Sequence, residues 1–156
     1  MSYKVLIVED SISIINTLKS FIDELGIEIF VAKSMKECAN LILVHKGKFD
    51  IVLADLGLPD APNGEIIEFL SKFSLPVVIL TGNSTTDFDI KYKDKNIVDY
   101  IIKDGINALS YSSSIVKRIL FNSKIKVLVV DDSKTFLEQT KELLQRYRFQ
   151  FLSALN

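Results

Sequence analysis

The sequence of 156 residues contains one cysteine, one histidine and no tryptophan, and these shortages exclude several kinds of site. A single cysteine cannot form an internal disulfide, which favours a reducing compartment. Cys38 lies in a predicted helix, where cysteine ordinarily serves as a small buried apolar side chain. His45 has no second metal-type partner near it in the sequence, so we expect a structural or solvent-facing role for it.

Long apolar runs and a strong charge imbalance are also missing. No run approaches the roughly 18 residues that a membrane helix needs, and the N-terminus enters a strand pattern without the layout of a signal peptide. The formal net charge of −1 gives no electrostatic reason to expect binding to nucleic acid or to a membrane surface. With 48% hydrophobic and 25% charged residues, the composition predicts a cytoplasmic globular protein of about one domain.

What the sequence does contain is a regular alternation of short apolar runs with helical periods. Several runs are rich in valine and isoleucine and apolar on both faces, as in a parallel sheet covered by helices. Ser11 and Ser34 are predicted N-caps. The alternation predicts an α/β, flavodoxin-like, doubly wound (βα)5 domain with a parallel five-stranded sheet in the order 2-1-3-4-5. The predicted strands are 4–8, 27–31, 50–54, 76–80 and 97–102, and the predicted helices are 12–25, 34–46, 64–72, 84–92 and 106–121.

One internal repeat is present. The segment YKVLIVEDS at 3–11 returns as IKVLVVDDS at 125–133, and in both places an apolar strand pattern is followed by a helix and a second apolar stretch. The repeat predicts a domain over 1–122 and, over 123–156, the strand–helix–strand beginning of a second domain of the same kind. Asp131 and Asp132 would be the acidic pair of an incomplete site without an acceptor aspartate.

The segment 123–156, called the second unit below, raises a question of packing. Its strand is apolar on both faces, and a bare strand edge with an apolar patch is seldom tolerated by a monomer. We expect it to pack against a second copy of the chain in a two-fold dimer, with packing onto its own first domain as the alternative. Its helix carries apolar residues along one side: Phe136, Leu143, Leu144 and Tyr147.

Polar side chains stand where the predicted strands end. Glu9 and Asp10 follow the first strand, Asp55 the third, Thr81 the fourth and Lys103 the fifth. In a parallel sheet these positions share one edge, and open α/β sheets place their ligands there. Each residue alone is more often a cap or turn residue, but their convergence on one crevice predicts a site.

The chemistry of this set favours phosphoryl transfer. Three neighbouring carboxylates repel one another, so a proton or a cation is needed among them. Because all the candidate ligands are oxygens, a hard ion is favoured, and Mg²⁺ fits best. A carboxylate beside Mg²⁺ can attack phosphorus, while a lysine and a hydroxyl stabilise the charge on the transferred group.

These motifs resemble the receiver domains of two-component response regulators over about residues 3–121. The resemblance rests on ED after the first strand, DLGLPD after the third, LTG after the fourth and DYIIKD after the fifth, in the family's order and spacing. It implies that Asp55 is the phosphoacceptor. Glu9 (through water), Asp10, Asp55 and the carbonyl of Gly57 would hold Mg²⁺. Thr81 and Lys103 would bind the phosphoryl oxygens, and Thr81 and Tyr100 would form the conformational switch.

The resemblance also implies partners. A sensor histidine kinase or phosphotransfer protein would supply the phosphoryl group. Besides the second unit, the face formed by 84–92, 97–102 and 106–121 is a candidate homodimer surface. The chain itself would not be an enzyme beyond its own phosphorylation and dephosphorylation, although such tandem arrangements resemble those ahead of GGDEF diguanylate cyclases.

Three departures from the family pattern and two other functions complete the expectations. Asp104 replaces the family's proline after Lys103, the turn 59–64 is one residue longer than usual, and 84–96 lacks the usual alanine-rich helix. One alternative is a pseudo-receiver that binds partners without being phosphorylated. A flavodoxin-like or phosphatase-type enzyme is disfavoured because 57 is glycine rather than a second aspartate and EDSIS lacks a glycine fingerprint.

Overall fold

A computed structural model describes residues 2–23, 26–82 and 96–155. Its first part is a parallel five-stranded sheet in the order β2-β1-β3-β4-β5, which confirms the predicted fold and strand order. The strands are β1 Tyr3–Val8, β2 Ile27–Ala32, β3 Ile51–Asp55, β4 Val77–Thr81 and β5 Ile97–Ile102, and the helices are α1 Ile12–Ile22, α2 Met35–Val44, α3 Glu65–Leu70 and α4 Ile106–Asn122.

The apolar runs form strands because both faces of the sheet are covered. Alternate residues of β1 belong to different clusters, with Leu6 and Val8 on one face and Val5 and Ile7 on the other. The cluster of Leu6 contains buried residues of α2 and α3, and that of Val5 contains buried residues of α1 and α4. The central strands β3 and β4 are buried along their whole length, so polar side chains are confined to their ends.

The boundaries differ from the predictions by a few residues. Asp55 and Thr81 are the last residues of β3 and β4 rather than residues that follow them. The helix predicted over 64–72 ends at Leu70 and continues as one 3₁₀ turn, Ser71–Phe73. Ser11 and Ser34 are confirmed as N-caps. The helix predicted over 84–92 lies outside the described residues.

The second unit contains a strand, a helix and a parallel strand: β6 Lys126–Val130, α5 Lys134–Arg146 and β7 Gln150–Ala154. Lys126 pairs with Gln150 in the same register as Lys4 with Glu28. The Asp131 amide donates to the Ala154 carbonyl as the Glu9 amide donates to that of Ala32. The repeat therefore extends from sequence to backbone hydrogen bonding.

The turn between α5 and β7 rests on the amino end of the first sheet. The Arg148 guanidinium lies 2.7 Å from a carboxylate oxygen of Asp50, just before β3, and also donates to the Asp50 carbonyl. The Tyr147 hydroxyl donates to the Val98 carbonyl at 3.2 Å. Packing onto the same chain, the alternative raised from the sequence, thus occurs at this turn, and the two-fold dimer remains a prediction.

Among the helices within the described ranges, none combines the length and apolar character that crossing a bilayer requires.

Candidate functional site

The carboxyl end of the sheet brings together residues that are far apart in the sequence. Glu9 follows β1 and is fully buried, Asp10 beside it is exposed, and Asp55 ends β3 with 5% of its surface exposed. Carboxylate oxygens of these three residues all lie within 4.8 Å of one another. Within the described part of the chain, this is the one such group of possible metal ligands.

Lys103 lies between two of the carboxylates. Its ammonium nitrogen is 3.0 Å from Asp55 Oδ1 and 3.1 Å from Glu9 Oε2, and its side chain is 15% exposed. Burial works against the charged ammonium, but hydrogen bonds and attraction from both carboxylates outweigh it, so the pKa of Lys103 is raised. The lysine is therefore held as a cation within reach of both acids.

The ionised form of Glu9 is unfavourable at this buried position. Burial penalises the ionised carboxylate and raises its pKa, and repulsion from Asp55 adds to that effect. The Ser11 amide, which donates to Glu9 Oε1 at 3.1 Å, and Lys103 both oppose it. A buried carboxylate that is still unfavourable in the presence of these partners is one that an added cation would stabilise.

The residues fit a divalent hard cation. Among the described residues, three carboxylates face one ammonium, which leaves two negative charges when all are ionised. The donor set is all oxygen, and one carboxylate is open to solvent, as suits an ion that keeps several waters. Gly57 lies beside the cluster, because a Cβ at that position would sit 3.9 Å from Asp55 Oδ2.

Thr81 and Tyr100 lie on neighbouring strands. Thr81 is buried at the end of β4, and its carbonyl accepts a 2.7 Å hydrogen bond from the Lys103 amide. Tyr100 is half-buried in the middle of β5 and packs against the cluster on the α2–α3 face. The structure thus brings the carboxylates and Lys103 into contact, whereas Tyr100 sits farther back along its strand.

Two features of the site were not predicted. The first is a register shift between β4 and β5 at Val77/Val78. Ile97 and Tyr100 lie on the same face although strict alternation would separate them, so the bulge determines which way Tyr100 faces. No sequence signal such as a glycine marks it.

The second is the conformation of the loop after β5. Within the described residues no peptide bond is cis, so the Lys103–Asp104 bond is trans. The Asp104 amide donates to the Ile102 carbonyl at 2.7 Å, and Gly105 follows with a φ of 82°. The turn before α4 is thus made by a glycine in the left-handed region, and Gly105 was the sequence signal for it.

Several known proteins are similar to this chain in sequence. The chain is 34% identical over 107 residues to the KDP operon transcriptional regulatory protein KdpE of Escherichia coli (strain K12), covering 67% of this chain and 47% of KdpE. It is 27% identical over 124 residues to ycf29 of Pyropia yezoensis, described as a transcriptional regulator, covering 76% of this chain and 55% of that protein. The chain thus spans about half the length of these two relatives.

A solved structure matches nearly all of the chain. It is a crystal structure described as a two-component system response regulator/GGDEF domain protein, with a TM-score of 0.86 and 35% identity. The match covers 98% of this chain and 62% of that one, so it includes the second unit. The family model of the response regulator receiver domain matches residues 5–110. The chain belongs to the receiver domain family of response regulators.

Proposed function

We propose that this receiver accepts a phosphoryl group on Asp55 with the help of Mg²⁺ and changes conformation in response. One observation carries the proposal: the Asp55 carboxylate lies within 4.8 Å of two other carboxylates and 3.0 Å from a lysine ammonium. A structural ion pair does not require the two further acids. An acceptor that must bind a cation and an incoming phosphoryl group does require them.

The metal would be held by carboxylate oxygens and one carbonyl. Asp10 and Asp55 would bind it directly, Glu9 would act through water, and the Gly57 carbonyl would complete the protein ligands. When bound, Mg²⁺ would neutralise charge that develops on the transferred phosphoryl oxygens. The three carboxylates carry more negative charge than the Lys103 ammonium neutralises, which supports this assignment.

The transfer step is a displacement at phosphorus. An oxygen of the Asp55 carboxylate attacks phosphorus and forms an O–P bond, while the bond from phosphorus to the donor's histidine nitrogen breaks. The electron pair of that bond returns to the imidazole. Lys103, already within hydrogen-bonding distance of Asp55, would pair with the phosphoryl oxygens, and the Thr81 hydroxyl would donate to one of them.

The conformational response would run through β4 and β5. Thr81 would move toward the phosphoryl group and Tyr100 would turn inward behind it, which remodels the surface beside β5. Tyr100 in its present position packs against core residues, so an ordinary core role is the competing explanation. Structures with and without a phosphoryl mimic test this switch, and identical Thr81 positions and Tyr100 rotamers would contradict it.

The second candidate function is a pseudo-receiver that binds partners without phosphorylation. The complete set of acids and the lysine favour the first function, and acetyl phosphate separates the two. Incubation with acetyl phosphate and Mg²⁺ should add the mass of one phosphoryl group to the protein, and EDTA should prevent it. An unchanged mass under conditions that label another receiver would favour the pseudo-receiver.

The second unit is proposed to be the start of another receiver-like domain. The shared register and serine caps support this, as does the match to a response regulator/GGDEF domain protein, which covers 98% of this chain and so includes both of its units. Such a tandem arrangement would serve an output domain of that kind. The phosphoryl donor would be a sensor histidine kinase or phosphotransfer protein in the cytoplasm.

The second unit is also the proposed dimer surface of this chain. Several large apolar side chains of β6, α5 and β7 are about half exposed or more: Leu128, Val130, Phe136, Leu143 and Leu152. A second copy would cover them. Sedimentation of this chain beside one that ends near Phe121 tests the idea, and two monomers at high concentration would exclude it.

A further inference from the structure

The turn that follows the Gly57 segment is tied to the start of another helix by one carboxylate. Asp60 Oδ1 accepts from the Met35 amide at 2.8 Å, and Asp60 Oδ2 accepts from the Lys36 amide at 3.0 Å. These amides are the first two of α2, which helices ordinarily leave unsatisfied. Both hydrogen bonds lower the pKa of Asp60, so the group is an anion at neutral pH.

The same helix end has a second, independent cap. The Ser34 hydroxyl accepts from the Glu37 amide at 3.1 Å, which is the local N-cap expected from the sequence. Ser34 belongs to the segment that leads directly into α2. Asp60 instead reaches the helix from the loop after β3, 24 and 25 residues away from the amides it binds. Of these two caps, Asp60 is therefore the one that joins the two segments.

The loop that carries Asp60 also carries Gly57. Its backbone leaves β3 with the Leu56 amide bonded to the Leu80 carbonyl at 3.2 Å. The Leu58 side chain is fully buried, and a tight turn brings the Ala61 amide to the Leu58 carbonyl at 3.1 Å. Gly57 thus lies between β3 and a turn whose exposed tip is Asp60.

We propose that Asp60 is a positioning residue for the metal site, because its clamp on α2 fixes the loop that presents the Gly57 carbonyl. Gly57 is exposed. Its two neighbours are anchored, since the Leu56 amide donates to the Leu80 carbonyl and the Leu58 side chain is buried. Within the loop, backbone hydrogen bonds join Ala61 to Leu58 and Gly64 to Leu56, and the clamp adds the tie between the exposed tip and α2. A carbonyl ligand must be placed to a fraction of an ångström, so loosening the tip weakens metal binding without removing a ligand.

This inference rests on the proposed function for its metal. Its test therefore uses two readouts, one of which needs no metal. The first is hydrogen exchange at the Ala61 and Gly64 amides, which bond to Leu58 and Leu56 within the loop. The second is the dissociation constant for Mg²⁺, measured by calorimetry on the whole chain.

Asp60→Ala and Ser34→Ala form the matched pair. Both remove side-chain caps from the same end of α2, so both should lower the melting temperature by roughly 3 °C. Only Asp60→Ala should increase exchange at Ala61 and Gly64 and raise the dissociation constant for Mg²⁺, by about tenfold. Asp60→Asn, which keeps one acceptor oxygen, should fall between the wild type and Asp60→Ala.

Three results would overturn the inference. One is unchanged loop exchange in Asp60→Ala, and another is equal loss of Mg²⁺ affinity in Ser34→Ala, which would assign the effect to helix stability. The third is a dissociation constant for Mg²⁺ that is the same in Asp60→Ala as in the wild type. If the wild type itself bound no Mg²⁺, the proposed function would fail, and the exchange readout would still decide whether Asp60 anchors the loop.

Discussion

The β1–α1–β2 and β6–α5–β7 segments contain the same elements in two different surroundings. In both, a strand leads through an acidic residue and a serine cap into a helix. The Ser11 amide donates to Glu9 Oε1, and the Ser133 amide donates to Asp131 Oδ1. Yet Leu6 is fully buried, while Leu128, at the matching position of β6, is 62% exposed. The same strand–helix–strand motif therefore forms in both places, whereas its burial depends on what is packed around it.

The same difference separates a site from an acidic pair. Glu9 and Asp10 meet Asp55 and Lys103, which come from β3 and the end of β5. Asp131 and Asp132 have no such third carboxylate within the part of the chain that the structure describes. The chemistry of a receiver therefore depends on long-range contacts between strand ends.

Matched leucine substitutions should show the largest difference between the two copies. Leu6→Ala removes a fully buried side chain and should lower the free energy of unfolding by about 3 kcal/mol. At protein concentrations low enough to keep the chain monomeric, Leu128→Ala should change it by only about 0.5 kcal/mol, because most of that side chain is then in water. Urea unfolding measures both. A loss for Leu128→Ala that stays as large as that for Leu6→Ala under these conditions would contradict the exposure of Leu128 in the single chain.

Matched aspartate substitutions should separate the two acidic pairs. Asp10→Asn removes one of the three clustered carboxylates and should raise the dissociation constant for Mg²⁺ by at least about tenfold. Asp132→Asn, at the corresponding position of the second unit, should leave it unchanged. Calorimetric titration with Mg²⁺ is the measurement, and a similar loss in both variants would place the metal elsewhere.

The contact between the two units should contribute less to the free energy of unfolding than the packing inside the first domain. The Arg148–Asp50 pair is about one quarter exposed on each side chain, so Arg148→Ala should cost only about 1 kcal/mol. The loss should appear as faster hydrogen exchange at the β6–β7 amides. Lys141→Ala, on the exposed side of α5, is the control. If Lys141→Ala speeds exchange by the same amount, the effect comes from the change in net charge and not from the loss of the Arg148–Asp50 contact.

The smallest expected effect is a pH dependence due to Glu9. Its pKa is raised on folding, mainly by burial, so the protonated form favours the folded state. That contribution is complete below the unfolded pKa near 4.5 and is lost as pH rises through the folded pKa. In EDTA, wild type should therefore lose stability relative to Glu9→Gln as the pH rises above 4.5. A difference in stability between the two proteins that does not change with pH would show that folding does not raise the pKa of Glu9.

The sequence was sufficient for the strand order and for the convergence of Glu9, Asp10, Asp55 and Lys103. Apolar runs with polar residues at their ends are a strong pattern, because a buried parallel strand tolerates charge only where it leaves the sheet. The facing direction of Tyr100 was not predictable, since it depends on a bulge between β4 and β5. Neither was the Asp60 clamp, whose two partners lie 24 and 25 residues away and give no local signal.

The central claim is that Asp55 accepts the phosphoryl group. The most direct measurement is intact mass after incubation with acetyl phosphate and Mg²⁺, on wild type, Asp55→Asn and Asp131→Asn. Wild type and Asp131→Asn should each gain the mass of one phosphoryl group, and Asp55→Asn should gain none. Labelling that persists in Asp55→Asn, or that disappears in Asp131→Asn, would contradict the assignment.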